Sequence, residues 1–294
     1  MMNILMASDN NYVPPCMALI QSIVDNNNTE IVVWYFHTDL TDKNICRLKA
    51  LSQKKTCQIN FIQVEDDLFK DAPIGSHFTK EMYYRILAGE LLPETVNKIL
   101  YLDSDIIIKG NIEEFYNRSF VENNNKQLAI VCPDAISETK SVEYHLRLNI
   151  PMEKIYFNSG VLLLNLDMMR EIVKLEEVFD YISSNHEKLY LPDQDVLNVL
   201  WQDYVIIEDE LIYNLMVDSY SSTSFQKFNN AKIIHYAGSK KPWKYGYKKL
   251  GKQLFKSYAI KTGNRLWFYA SIIKTMHSTI IKITKKKIKK LIHK

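Results

Sequence analysis

The chain has 294 residues, of which 47% are hydrophobic and 24% are charged, with only 8 Gly and 8 Pro. This composition excludes disordered and collagen-like proteins, and the length fits one large α/β domain with an appendage or two small domains. The net charge of +3 is the sum of two oppositely charged parts. Residues 1–218 carry 18 basic and 34 acidic side chains, whereas residues 219–294 carry 19 basic and no acidic ones. The split indicates an acidic body joined to a cationic attachment surface.

The sequence shows no targeting signal and no paired cysteines, which indicates a reduced compartment. The N-terminal segment lacks a cationic region and its apolar run is too short for a signal peptide. No run of eighteen apolar residues predicts a spanning helix. The cysteines form no CxxC pair and lie in apolar settings, so we expect four small buried side chains: Cys16, Cys46, Cys57 and Cys132. These features predict a cytoplasmic chain.

Strand-like and helix-like segments alternate through the first half. Strands are predicted where short runs are rich in Ile, Val or aromatic residues: 3–7, 31–36, 58–64, 98–102 and 128–132. Helical spacing begins at Pro14-Pro15, where proline suits a first turn, and occurs again over 42–51. The alternation predicts βαβ units and a mainly parallel sheet covered by helices on both faces.

The second half continues this pattern without an internal repeat. Residues 161–164 predict a buried strand, followed by one long helix from a capping Asp167 to Ile182 and another over 193–200. Residues 232–236 predict a late strand, and 218–230 read as a loop rich in Ser, Asn and Thr.

Polar residues follow several predicted strands, at the edge where parallel sheets bind ligands. Asp103 and Asp105 leave one strand together, and two such carboxylates suit Mg²⁺ or Mn²⁺ bound to nucleotide phosphates. DxD spacing alone equally describes a solvated turn or a helix cap, and Asp193-Gln194-Asp195 is a second instance. His235 ends the late strand and is either a core residue or a ligand.

Other phosphate motifs are missing. The sequence contains no GxxxxGK[ST] loop and no GxGxxG after the first strand, which disfavours ordinary nucleoside-triphosphate and dinucleotide folds. Gly238 and Lys241 follow His235 and suit close approach to phosphate.

Over residues 2–250 the chain resembles glycosyltransferase family 8, most closely the bacterial lipopolysaccharide and lipooligosaccharide enzymes. The resemblance rests on the order and spacing of short motifs: Ala7-Ser8-Asp9-Asn10-Asn11-Tyr12, Tyr84-Arg85, 100–105, 157–162, 193–195 and 235–243. Asp9-Asn10 departs from the family's frequent double aspartate, and Ser159 stands where relatives often have alanine.

The resemblance implies a GT-A fold over 1–263, Mn²⁺ or Mg²⁺, a UDP-galactose or UDP-glucose donor, a saccharide or glycolipid acceptor and retention of configuration. It implies that Asp9, Asn11 and Tyr12 hold uracil and that Asp103, Asp105 and His235 bind the metal. Gly238 and Lys241 would bind the diphosphate, and Arg85, Asp103, Asn158, Asp193 and Gln194 would line the sugar. Ala7, Ser104 and Ser159 complete the implied donor site.

Gln194, Asp193 and Asp103 are the expected catalytic residues. An amide is a poor nucleophile, so we expect the acceptor to attack on the leaving-group face while Gln194 stabilises the cationic sugar. Tyr101, Trp243 and Trp34 serve either as acceptor platforms or, more simply, as packing. Asp134 ranks behind Asp193, because an acid there also suits a cap.

Two other interpretations stay open. A Mg²⁺-dependent phosphohydrolase would use Asp103 as nucleophile and Asp105 as acid and base. A non-catalytic, membrane-bound protein would retain only the sugar-nucleotide site.

Residues 264–294 carry nine Lys or Arg and no acid, with apolar residues at nearly helical spacing. They predict a basic amphipathic helix on the anionic inner face of the cell membrane, or else a solvated tail. The acidic body argues against nucleic acid as a partner.

Overall fold

A seven-stranded sheet lies at the centre of the chain in the computed structural model. The structure describes residues 1–53, 57–65, 68–69, 80–217 and 224–292, and side chains up to residue 285. The sheet order is β10-β8-β9-β4-β1-β2-β3. The strands are β1 (Met2–Ala7), β2 (Ile31–His37), β3 (Cys57–Gln63), β4 (Lys98–Leu102), β5 (Ile106–Ile108), β6 (Val121–Glu122), β7 (Asn125–Lys126), β8 (Ala129–Pro133), β9 (Phe157–Asn165), β10 (Val205–Ile207), β11 (Leu215–Met216) and β12 (Ile233–His235).

Helices cover both faces of this sheet. They are α1 (Val13–Asn26), α2 (Asp42–Ser52), α3 (Ala88–Leu91), α4 (Glu113–Tyr116), α5 (Glu138–Leu148), α6 (Leu166–Ile172), α7 (Leu175–Asn185), α8 (Pro192–Trp201), α9 (Glu210–Tyr213), α10 (Phe225–Asn230), α11 (Lys252–Lys261) and α12 (Arg265–Ile292), with 3₁₀ helices at Lys80–Leu87 and His186–Lys188. Successive residues of β1 enter different cores, since Ile4 packs beneath α1 and α2 while Leu5 packs on the opposite side. The expected α/β fold with a mostly parallel sheet is confirmed.

One strand of the central sheet runs against the others. β9 pairs antiparallel with β4 and with β8, whereas β1, β2, β3 and β4 are mutually parallel. The amino end of β9 therefore reaches the edge at which the parallel strands end. The register between β8 and β9 also jumps after Val131, and such irregularities re-aim side chains near active sites.

A second, three-stranded sheet receives the chain directly from β4. Its order is β11-β12-β5, and β5 starts after the turn Asp103-Ser104-Asp105. Because His235 pairs with Ile106 across β12 and β5, the histidine lies beside this turn.

Three local predictions need correction. The helix predicted from Asp167 to Ile182 is two helices, because Val173 and Lys174 are extended; this turn lets α6 pack on α3 and α7 on α8. Its cap is Asn165, whose side chain accepts from Met168 N. The predicted loop 218–230 contains α10, capped by Ser224, and its residues 218–223 lie outside the described residues.

The third correction concerns the cysteines. Cys16, Cys57 and Cys132 are buried as expected, but Cys46 is exposed. Its side chain lies on the exposed side of α2, whereas Leu48 and Leu51 supply the buried contacts of this helix.

The C-terminal segment is helical. α12 begins against the body, with Phe268 buried beside Phe255. Further along, Ile273, Ile280 and Ile283 are each more than half exposed. Within the described residues we find no helix with both the length and the apolar character needed to cross a membrane.

Candidate active site

Two carboxylates and an imidazole meet where the chain passes from one sheet to the other. His235 Nε2 lies 3.8 Å from Asp103 Oδ2 and 3.3 Å from Asp105 Oδ1, and one ligand atom from each residue fits within 4.8 Å. Main-chain bonds fix the turn, since Asp103 N donates to Gly160 O (2.9 Å) and Tyr236 N donates to Asp105 O (3.0 Å). Ser104 lies between them, half-buried.

Asp105 is buried in a positively charged setting. Burial alone would raise the pKa of its carboxyl, but Lys241 and His235 hold that pKa below the ordinary value. Lys241 is itself buried; it pairs with Asp105 Oδ2 and donates to the Tyr236 carbonyl at 2.9 Å. Asp105 is therefore ionised at neutral pH.

The three residues suit a divalent ion in both chemistry and space. Carboxylate oxygens suit Mg²⁺ and Mn²⁺, and an imidazole nitrogen favours a transition metal. Gly160 leaves room, because a Cβ there would lie 2.4 Å from His235 Cε1 and 2.7 Å from Asp103 Oδ2. Any side chain at this position would fill the space between the two ligands.

Arg85 links this cluster to the neighbouring pocket. Its guanidinium is 2% exposed, lies 4.1 Å from the centre of the Tyr101 ring and donates to the Ser159 carbonyl. It also bonds Asp103 Oδ1 (3.0 Å) and Asp193 Oδ2 (3.3 Å). A planar, permanently charged fork can hold two carboxylates and a carbonyl at once, which a lysine cannot do.

Asp193 lies in the first turn of α8, and one of its carboxyl oxygens has no hydrogen-bond partner in the protein. Its Oδ2 accepts from Ser159 Oγ at 3.0 Å, whereas its Oδ1 is buried with no hydrogen-bond partner. Burial raises the pKa of Asp193 to about 6, with Asp103 adding to the increase while Arg85 opposes it. An unpartnered buried carboxyl oxygen is costly unless a donor such as a hydroxyl reaches it.

Gln194 is held on the opposite side by a polar network. Its Oε1 accepts from Asn158 Nδ2 (2.9 Å) and from Ser159 N (3.1 Å), and its Nε2 donates to Asp134 Oδ2 (2.6 Å). Asp134 is half-buried, and burial raises its pKa despite these hydrogen bonds.

The turn after β1 contains the residues that are expected to hold uracil. Asp9 Oδ1 accepts from the main-chain N–H groups of Asn11 (3.0 Å) and Tyr12 (3.1 Å), and Oδ2 accepts from the Asn11 side chain at 2.8 Å. Tyr12 is half-buried, and its ring meets Trp243 edge-on at 6.0 Å. Buried Ala7 ends β1 just before this turn.

Asn10, where the family often has aspartate, ties this turn to the next loop. Its amide donates to Asp39 O at 2.9 Å, and its oxygen accepts from Thr41 N at 2.9 Å. Aspartate could not make the first of these bonds.

Gly238 stands apart from the buried cluster. It is exposed with φ of +82°, a conformation that favours glycine, and no heavy atom lies within 4 Å of the position of a Cβ. The backbone there is open to an approaching group.

Sequence reasoning assigned no role to two residues that shape the site, Asn214 and Gly160. Asn214 is fully buried and accepts from His235, and Gly160 provides the space between the ligands. Asp195, in the second DxD, faces away and binds Arg147 and Tyr156. An isolated asparagine before a two-residue strand carries no signal that would single it out.

The candidate aromatic platforms are mostly buried, and Tyr101 also contacts the site, since its hydroxyl donates to Asp103 Oδ1 at 2.7 Å. Tyr101 and Trp243 are buried in separate clusters. Trp34 is half-buried and donates from Nε1 to Asn3 Oδ1 at 3.1 Å.

Comparison with known proteins agrees with this geometry. Residues 3–246 match glycosyl transferase family 8. The lipopolysaccharide 1,2-glucosyltransferase of Escherichia coli K12 is 28% identical over 251 residues, which span 82% of this chain and 72% of that protein. The lipopolysaccharide 1,3-galactosyltransferase of Salmonella typhimurium is 25% identical over 254 residues, or 82% and 72% of the two chains.

A solved structure shows the same fold. The galactosyltransferase LgtC, in complex with donor and acceptor sugar analogues, superimposes with a TM-score of 0.76 at 22% identity. The match covers 88% of this chain and 96% of that one. The likeness confirms the GT-A fold.

Proposed function

Since the chain belongs to glycosyltransferase family 8, we propose that it is a retaining, metal-dependent hexosyltransferase that moves galactose or glucose from a UDP-sugar to a saccharide acceptor. One observation carries the proposal. The Asp103, Asp105 and His235 cluster lies one buried guanidinium away from Asp193, whose free oxygen faces no protein donor. A charged leaving group and a sugar hydroxyl thus have adjacent places to bind.

The uridine would lie against the turn after β1. Asp9 and Asn11 provide hydrogen-bonding groups beside the half-buried Tyr12 ring, on which uracil would stack. The diphosphate would then reach the open backbone of Gly238 and the buried ammonium of Lys241, beside the divalent cluster. When bound, Mn²⁺, or Mg²⁺ in its place, would neutralise the negative charge that builds on the leaving phosphate.

The sugar would occupy the pocket between Arg85 and α8. Asp193 Oδ1 would accept a sugar hydroxyl, while Arg85 keeps the Asp193 and Asp103 carboxylates in place. Asn158 and Ser159 line the same pocket through their bonds to Gln194 and Asp193.

The hydrogen bonds of Gln194 support same-face attack by the acceptor. Ser159 N–H can only donate, so the atom 3.1 Å away must be the Gln194 carbonyl oxygen. That oxygen already accepts from Asn158 as well, which leaves little capacity for a covalent bond to sugar. We propose that the amide stabilises the cationic sugar electrostatically and that the departing phosphate oxygen takes the acceptor proton. A sugar trapped covalently on Gln194 and detected by mass spectrometry would overturn this mechanism.

The main test is UDP release from a panel of UDP-sugars with Mn²⁺ or Mg²⁺. We expect one UDP-hexose to be turned over and the activity to be lost in Asp103→Asn and Asp105→Asn. Asp180→Asn, on the exposed face of α7, is the matched control and should retain activity.

Two outcomes would contradict the proposal. Phosphate release from phosphomonoesters without UDP-sugar turnover would favour the phosphohydrolase alternative. Thermal stabilisation by UDP and Mn²⁺ without turnover of any donor would favour a binding protein.

We further propose that α12 attaches the enzyme to the anionic inner face of the cell membrane, where a lipopolysaccharide or another glycolipid acceptor is made. Support comes from the nine basic residues after Gly263, the absence of acids there and the exposed isoleucines. Removing residues 280–294 takes away seven of the nine cations but leaves Phe268 in the core. The truncated enzyme should keep donor hydrolysis and lose binding to phosphatidylglycerol vesicles; unchanged vesicle binding would refute attachment by the tail.

A further inference from the structure

Asn214 joins the candidate metal site to the candidate sugar pocket. It follows α9 and precedes β11, and it is fully buried. Its Oδ1 lies 2.8 Å from His235 Nδ1, and its Nδ2 lies 2.9 Å from Asn158 Oδ1. One side chain thus touches a candidate metal ligand and a candidate sugar contact.

A main-chain donor fixes the direction of this chain of hydrogen bonds. Gly160 N–H lies 3.0 Å from the Asn158 side chain and can only donate, so the atom it meets must be the Asn158 oxygen. That oxygen can only accept, so the Asn214 atom that faces it must be the NH₂ group. Asn214 therefore turns its own oxygen towards His235.

A second main-chain donor gives the same answer. Ser159 N–H donates to the Gln194 oxygen, which therefore also accepts from the Asn158 NH₂ group at 2.9 Å. The main-chain donors of Gly160 and Ser159 thus require the same orientation of the Asn158 amide. The orientation does not depend on a choice of amide rotamer.

The tautomer of a neutral His235 follows from this polarity. An oxygen at 2.8 Å from Nδ1 requires a proton on that nitrogen, so a neutral imidazole keeps its lone pair on Nε2. Nε2 is the nitrogen that faces Asp103 and Asp105. We propose that Asn214 is a positioning residue that holds His235 in the tautomer able to bind the metal and couples that ligand to the sugar pocket through Asn158. This inference rests on the proposed function for the identities of the metal site and the sugar site.

The first test is the tautomer of His235 in the metal-free protein. The chain has seven histidines, and ¹⁵N-labelled histidine gives ring-nitrogen shifts that distinguish the two neutral forms. The His235 signal is identified by its absence in His235→Gln. At pH 8.5 we expect Nδ1 protonated in wild type and a changed or mixed tautomer in Asn214→Leu.

The second test is Mn²⁺ affinity measured by titration calorimetry. Loss of an outer hydrogen bond to a metal-binding histidine typically weakens metal binding about 10–100-fold, which is our expectation for Asn214→Leu. Asn214→Asp keeps an acceptor for Nδ1–H, so it should retain the tautomer and the Mn²⁺ affinity. When ionised, the new carboxylate cannot donate to Asn158, so binding of the UDP-sugar should weaken instead.

Asn27→Leu is the matched control, because Asn27 is also buried and bridges two main-chain groups far from the site. It should lose stability without losing Mn²⁺ affinity. A neutral His235 that carries its proton on Nε2 in wild type, an unchanged tautomer in Asn214→Leu, or an equal affinity loss in Asn27→Leu would overturn the inference. Neither the tautomer nor the Mn²⁺ affinity is measured with a UDP-sugar present. Failure of UDP-sugar transfer would therefore refute the proposed function separately.

Discussion

Replacing Gly160 by alanine tests the space at the centre of the site. Gly160 has no left-handed φ, so the backbone tolerates alanine and the effect is steric. The new Cβ would lie 2.4 Å from His235 Cε1, which is 1.0 Å short of the 3.4 Å at which ordinary contacts begin. The imidazole must therefore move by about 1 Å, and the Asp103 carboxylate, whose Oδ2 would lie 2.7 Å from the Cβ, must shift as well. In catalysis a misplacement of about 1 Å can cost about 100-fold in rate, and we use the same scale for the two metal ligands. We expect Mn²⁺ affinity to fall by about 100-fold, and crowding to lower the free energy of unfolding by about 1–3 kcal/mol.

Calorimetric Mn²⁺ titration and urea unfolding measure the two effects separately. Gly110→Ala is the control, because its Cβ would meet Lys232 Cγ at 3.2 Å, part of a flexible side chain that can move aside. That variant should keep the wild-type Mn²⁺ affinity. If Gly160→Ala binds Mn²⁺ as tightly as Gly110→Ala, the cluster does not enclose the ion in the space beside Gly160.

Further predictions concern the two acids of the second DxD, Asp193 and Asp195, and Arg85, which pairs with Asp193. Burial raises the Asp193 pKa from 3.8 to about 6, so the folded protein holds this proton more tightly and wild type loses stability as pH rises through that window. Relative to the neutral variant Asp193→Asn, the free energy of unfolding of wild type, measured in urea, should therefore fall by up to about 3 kcal/mol between pH 4 and 7. A difference between the two proteins that does not change with pH would contradict the raised pKa of Asp193. Asp195→Asn should lower the free energy of unfolding by about 2–3 kcal/mol, since it weakens the bonds to Arg147 and Tyr156, yet leave Mn²⁺ affinity unchanged; weaker Mn²⁺ binding would place Asp195 in the site. Arg85→Lys should lower the free energy of unfolding, measured in urea, by about 3–5 kcal/mol, because a lysine cannot bond the Asp103 and Asp193 carboxylates together. A variant as stable as wild type would refute this bridging role of Arg85.

Periodic and motif-based features were predictable from the sequence. The strands at residues 3–7 and 98–102, and the helix that begins near Pro14, are apolar patterns that local chemistry alone determines. The order of the motifs indicates the family, because residues brought together at strand ends keep a characteristic spacing even when little else is shared.

Features set by tertiary contacts were not predictable. The reversed direction of β9 leaves no mark on a run of buried residues, since parallel and antiparallel strands look alike when both faces are covered. The break at Val173 depends on where α6 and α7 find their packing partners. Asn214 functions only through atoms that are distant in sequence, so no local pattern could identify it.

The reversal of β9 also affects how the site would tolerate mutation. Its amino end brings the main-chain N–H groups of Ser159 and Gly160 to the edge where the parallel strands end, and these donors orient the surrounding amides. No amino-acid substitution other than proline removes a main-chain donor. A scan of side chains at Ser159 should therefore leave the polarity of the network intact, whereas deleting one residue within 161–164 should disrupt it. The hydrogen-bond polarity set by these two main-chain donors is thus insensitive to the side chain at Ser159 and sensitive to changes in strand length.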